Sequence, residues 1–193
     1  VMWRTILDIL ERKATEGVDV RLIYDGFGCL TTLPYHYERF LREKGIQCQV
    51  FNPFRPLLNI VQNNRDHRKI CVIDGKTGFT GGINLADEYI NQKRRFGHWK
   101  DTAVILKGEA VWNMTVMFLH MWNVIANSSE PIDHELHLPH HFHPDSFESD
   151  GYVQPYSDTP LDGEIVGENV YLNIINRARK YVYICTPYLI IDN

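Results

Sequence analysis

The order in which helix-period and strand-period segments follow one another is what most constrains this chain. Trp3, Ile6, Leu7, Leu10 and Ala14 recur at helical spacing, and Gly17 supplies a C-terminal stop. Val18, Val20 and Leu22 then alternate with Asp19, Arg21 and Ile23, which predicts a largely buried strand ending at Asp25-Gly26. The scheme repeats with a helix from about Tyr35 to Lys44, a stop at Gly45, and Ile46, Cys48 and Val50 alternating with Gln47 and Gln49. Helix then strand, twice, is the grammar of a layered α/β fold. Further on, His67 to Asp74 predicts a strand, Asp74-Gly75-Lys76 a turn, and Thr77 to Thr80 a short antiparallel partner. With a strand at Thr102 to Leu106, the expectation is an α/β sandwich around a mixed central sheet, with the polar motif described below on a central strand. Ala110, Val111, Met114, Met117, Phe118, Met121, Trp122 and Ile125 mark the apolar face of a long helix; that Met and aromatic stripe is core.

Between 127 and 150 the apolar pattern fails and Ser, Pro, Asp and His dominate, as in a linker or a long surface loop. Gly167 to Lys180 reads as another helix and Tyr181 to Thr186 as another strand. The expected division is a first domain over 1–150, linker included, and the beginning of a second over 151–193. His134, His137, His140, His141 and His143 invite a metal, but no nearby Cys supports a closed zinc site, and Pro139 and Pro144 suit an exposed linker. No metal or cofactor is expected. Lys93, Arg94 and Arg95 read as a solvated surface run, and Phe54, Leu57, Leu58 and Ile60 as packing beneath a loop. Cys29, Cys48, Cys71 and Cys185 lack metal-ligand or redox spacing and are expected to be free and mostly buried.

A net charge of -4 gives no broad attraction to nucleic acid, so a phosphate-bearing partner must be met by local cations. The apolar share of 44% is that of a globular chain, and no apolar run approaches the ~20 residues that cross a bilayer.

The chemistry is concentrated in one stretch. His67, Lys69 and Asp74 form H-x-K-x-x-x-x-D, followed by Gly81-Gly82-Ile83-Asn84. On a strand, residues two apart share a face, so His67 and Lys69 are expected to project together, an imidazole nucleophile or base beside a fixed cation. That pair suits a phosphate. Asp74, at an odd offset from His67, falls on the opposite face and takes a structural role. Gly81 and Gly82 let backbone approach a ligand, and Asn84 offers an amide to a phosphoryl oxygen.

These residues resemble the signature of the phospholipase D superfamily. Within it, Gly17 to Asp25, Asn63-Asn64-Arg65, Asn84 to Tyr89, Trp99 to Thr102 and Tyr183 to Asp192 resemble bacterial cardiolipin synthases. The resemblance implies metal-free chemistry in which His67 attacks a phosphodiester to give a phosphohistidine while Lys69 and Asn84 hold the non-bridging oxygens. It implies a carboxylate orienting the imidazole, for which Asp101 matches, with Glu88 as runner-up. It also implies a second catalytic repeat supplying a general acid. Only one such motif lies in this sequence, so the chain is expected to be a window of a longer, membrane-associated bacterial protein. Its first repeat would open before Val1, its second would continue past Asn193, and the window alone would turn over little. The implied reaction converts two phosphatidylglycerol molecules to cardiolipin and glycerol. Water as acceptor would make it a phospholipase or nuclease, and loss of turnover a lipid-phosphate binding module; nucleic acid is not the expected partner.

Overall fold

The computed structural model describes residues 1–53, 65–95, 97–139, 151–159 and 163–186. The first helix, α1 (Met2–Thr15), ends where Gly17 takes φ +89°, donates to Ala14, and lets Val18 donate back to the Lys13 carbonyl at 3.0 Å. That bond explains why the first strand, β1 (Arg21–Asp25), begins later than the alternation from Val18 predicts: the Val18 amide closes the helix and is lost to a ladder. The second unit of the pattern gives α2 (Tyr37–Glu43) and β2 (Gln47–Phe51), with Gly45 at φ +79° between them. β1 and β2 pair in parallel, Arg21 opposite Gln47 through Asp25 opposite Phe51. Leu7, Leu41, Ile46 and Cys48 are buried together, with Trp3, Leu10, Leu22 and Tyr37 packed around them. Fully burying one such aliphatic side chain contributes about 1.5–3 kcal/mol.

The second sheet is antiparallel, in the order β3 (Ile70–Ile73), β4 (Thr77–Gly81), β5 (Ala103–Lys107). Asp74 and Gly75, at φ +55° and +65°, occupy the two central positions of the β3–β4 turn, and Lys76 donates to the Ile73 carbonyl at 3.0 Å. Two left-handed residues in an Asp-Gly pair match the twist of the flanking strands. Asp74 is thus part of the hairpin turn. The fold is α/β with parallel and antiparallel pairing, and among the described residues the two kinds occupy separate sheets. β4 is the middle strand of its sheet, and β3, which the motif enters, lies at an edge.

A long helix, α3 (Val111–Ala126), packs against β2 of one sheet and β3 and β4 of the other. Of its predicted apolar stripe Val111, Met114 and Met121 are buried and Met117, Phe118, Trp122 and Ile125 half-buried, while Leu119, outside the stripe, is buried too. Gly78 permits the contact, since a Cβ there would lie 2.8 Å from the Met114 sulfur.

Strand β3 also starts later than predicted, at Ile70 rather than His67. The amides of Asp66 and Arg68 donate to carboxylates, of Asp25 and Asp66 respectively, instead of to a neighbouring strand. All four cysteines are free, but only Cys48 is buried; Cys71 and Cys185 are exposed, contrary to the expectation from their apolar neighbours. The cause for Cys71 is alternation, because β3 turns it and Ile73 to an uncovered face.

The chain divides into two compact units, Val1–Pro155 and Tyr156–Asn193. In the second, α4 (Val166–Arg177) receives Asp158 at its start, both carboxylate oxygens accepting from the Gly167 amide at 3.0 Å. Residues 181–186 form no strand, with no ladder partner among the described residues. No described helix is long and apolar enough to cross a membrane.

Candidate active site

The motif segment is fastened to the end of β1. Asp25, its side chain 12% exposed, accepts the Gly28 amide at 2.7 Å and the Arg65 guanidinium at 3.2 Å on Oδ1, and the Asp66 amide at 3.2 Å on Oδ2. Asp66 in turn holds Arg68 through three contacts, from its backbone amide (3.1 Å), Nε (2.9 Å) and Nη2 (2.8 Å). Burial pushes the Asp66 carboxyl up, but the Arg68 hydrogen bonds and the charges of Arg68 and Lys69 outweigh it and hold the group below its ordinary value. His67, between these clamped neighbours, is exposed, and among the described residues no hydrogen bond reaches its imidazole. A fixed backbone thus presents an open imidazole.

Lys69 is half-buried, and its Nζ donates to the His67 carbonyl at 2.7 Å. Burial pushes its ammonium pKa down, while the charges of Asp66 and Asp101 pull the other way. The ammonium therefore lies in the field of carboxylates from both sides of the motif. Continued one residue past Ile70, the β3–β4 register brings Lys69 level with Gly81, which pairs with Ala103 on β5.

At that level two glycines lie close against β5 and the residues just before it. A Cβ on Gly81 would stand 2.9 Å from the Ala103 Cβ, and one on Gly82 would stand 2.7 Å from Asp101 Oδ1. Asp101 lies against the turn. Its carboxylate accepts the Trp99 indole N–H at 3.0 Å and the Thr102 amide at 2.8 Å, and these, with the Gly82 amide and the Lys69 charge, hold it below the usual carboxylate range. The orienting bond to the imidazole that the resemblance implies for Asp101 is not among the hydrogen bonds of the described residues. Glu88, the runner-up, accepts from Arg95 at 3.0 Å.

Asn84 is half-buried, and its side-chain amide donates to the Tyr89 hydroxyl at 2.7 Å. The Tyr89 ring meets the Trp99 ring edge-on, with centroids 4.9 Å apart. Trp99 is held by Asn91, whose Oδ1 accepts the Trp99 amide (2.7 Å) and whose Nδ2 donates to the Trp99 carbonyl (2.9 Å). The same loop meets α1, where Asp87 accepts the Met2 amide at 2.7 Å.

The backbones of His67, Lys69, Gly81, Gly82 and Asp101 therefore belong to one end of the antiparallel sheet, with Asn84 just beyond it. Asp74 is at the opposite end of the hairpin. Asp25, Asp66, Tyr89, Asn91 and Trp99 were not singled out by the sequence. Tyr89 and Trp99 fall within stretches that carry the resemblance, but nothing local names their partners. Of the histidine cluster, His134 and His137 lie among the described residues, where no group of three possible metal ligands occurs; His140, His141 and His143 lie outside them. Phe54, Leu57, Leu58, Ile60 and Asn63-Asn64 also lie outside the described residues.

Comparison with known proteins assigns the family. The family model described as cardiolipin synthase, PLD-like domain, matches residues 2–122. An uncharacterized protein of Streptococcus mutans serotype c is 54% identical over 193 residues, covering 100% of this chain and 41% of that protein. Cardiolipin synthases of Listeria innocua and Alkalihalophilus pseudofirmus are 36% and 38% identical, each over 97% of this chain and over 38% and 37% of their own lengths. The chain belongs to the cardiolipin synthase PLD-like domain family. It spans about two fifths of the length of the curated relatives it matches.

Proposed function

We propose that this chain supplies one half of a phosphodiester-transfer site, in a protein that moves a phosphatidyl group from one phosphatidylglycerol to a hydroxyl of another. The observation that carries the reading is the exposed His67 imidazole on a segment tethered to Asp25, with the half-buried Lys69 ammonium held on the His67 carbonyl. In the proposed step a ring nitrogen of His67 bonds to phosphorus as the bond to the departing glycerol oxygen breaks. A general acid from a second repeat protonates that oxygen. The acceptor hydroxyl then gives its proton to that same group, now a base, and displaces the imidazole from phosphorus, giving cardiolipin and restoring His67. Lys69 and Asn84 hold the non-bridging oxygens as charge builds. Asp101 works from the turn, fixing Gly82 and balancing Lys69, and its carboxylate, which accepts from Trp99 on one oxygen and from Thr102 on the other, keeps acceptor capacity for the imidazole. No step calls for a cofactor, and a phospholipid substrate puts the work at a bacterial membrane surface. The names of the Listeria and Alkalihalophilus relatives support this substrate class.

The test is product identity. The full-length protein given labelled phosphatidylglycerol should release cardiolipin and glycerol in equal amounts. Phosphatidic acid alone would mean that water is the acceptor, and cleavage of DNA without lipid turnover would replace the lipid reading by a nuclease.

A further inference from the structure

Both ends of the Gly82–Asn84 turn are held by one ring of contacts. At one end Asp101 lies on Gly82; at the other the Asn84 amide donates to the Tyr89 hydroxyl at 2.7 Å. Trp99 joins the two, with its indole N–H on Asp101 at 3.0 Å and its ring against Tyr89 at 4.9 Å between centroids. Asn91 pins the Trp99 backbone from both sides, so the ring rests on a fixed loop rather than on a rotatable contact.

A side-chain amide has two N–H donors and one acceptor, and unheld it turns freely about its last bond. With one N–H committed to Tyr89, the plane of the Asn84 amide is set and the second N–H has a single direction. A donor aimed in advance costs no reorganisation when charge develops on its target.

We infer that Tyr89 is a positioning residue for the transfer reaction, fixing the Asn84 amide toward the phosphoryl group, with Trp99 holding Tyr89 and Asp101 in place. The inference rests on the reaction proposed above. The alternative is that Tyr89 and Trp99 only pack the loop after β4.

Tyr89→Phe separates the two, because it keeps the ring on Trp99 and removes only the hydroxyl. In the full-length protein with phosphatidylglycerol as substrate, Tyr89→Phe should lower kcat by about threefold to tenfold, the loss of one ordinary hydrogen bond, and leave KM unchanged. Asn84→Ala should cost more, about 10²-fold. The deciding arm is the double variant, which should be no slower than Asn84→Ala alone. A Tyr89→Phe loss of the same factor in the Asn84→Ala background would overturn the positioning role, as would an unchanged kcat in the single variant. His67→Ala is run alongside. Absence of turnover in the wild type, or undiminished turnover in His67→Ala, would fail the proposed reaction itself; an active wild type, an inactive His67→Ala and an unaltered Tyr89→Phe would fail only Tyr89.

Discussion

The latch at Asp25 can be broken at one oxygen. In Asp25→Asn, Oδ1 remains an acceptor for the Gly28 amide at 2.7 Å and for Arg65 at 3.2 Å, but Oδ2, which accepts the Asp66 amide at 3.2 Å, becomes an NH2 facing an N–H. Turning the amide over moves the conflict to Gly28 and Arg65 without removing it. One hydrogen bond is lost, and the attraction between the carboxylate and the Arg65 guanidinium weakens; together these cost about 1–2 kcal/mol in a pair that is mostly buried. The loss falls on the segment that carries His67. In the full-length protein, amide hydrogen exchange across residues 65–69 should quicken by about 5- to 30-fold while the α1 and α3 amides keep their rates. Unchanged exchange at 65–69 would refute the latch, and an equal rise throughout the domain would show Asp25 to be a general stability determinant instead.

Two further outcomes follow from the same geometry. Gly82→Ala sets a methyl 2.7 Å from Asp101 Oδ1, where ordinary contact begins at 3.4 Å, so the turn or the carboxylate must move; activity should fall about 10²-fold with unfolding little changed, and a fully active variant would mean that the turn does not touch the reaction. Asp66 has a carboxyl held below its ordinary 3.8, so the stability it contributes is fully present above that value and is lost as pH falls through its lower folded value. Acid unfolding followed by circular dichroism should therefore be flatter with pH in Asp66→Asn than in the wild type, and parallel curves would remove Asp66 from the acid transition.

What the sequence displayed was the locally determined part. Gly17 and Gly45 end their helices at positive φ and the Asp74-Gly75 pair makes its turn, because each depends on neighbours a few residues away. The alternation from His67 to Asp74 overstated β3, since periodicity does not reveal that the Asp66 and Arg68 amides are taken by carboxylates. The first of these, Asp25, lies some forty residues earlier and read only as a strand end. Asp101 was placed near the motif by resemblance, but its contacts with Trp99 and Gly82 depend on the path of the loop between β4 and β5, which no periodicity encodes. Tyr89 and Trp99 stood only as ends of stretches that carry the resemblance, without named partners, for the same reason.

The central claim is that His67 takes the phosphatidyl group covalently. Full-length protein quenched at alkaline pH during turnover of phosphatidylglycerol labelled at phosphorus, then digested and mapped, should carry the label on the peptide that contains His67, and His67→Ala should carry none there. Label retained by His67→Ala at the wild-type level, or found in the wild type only elsewhere, would contradict the account.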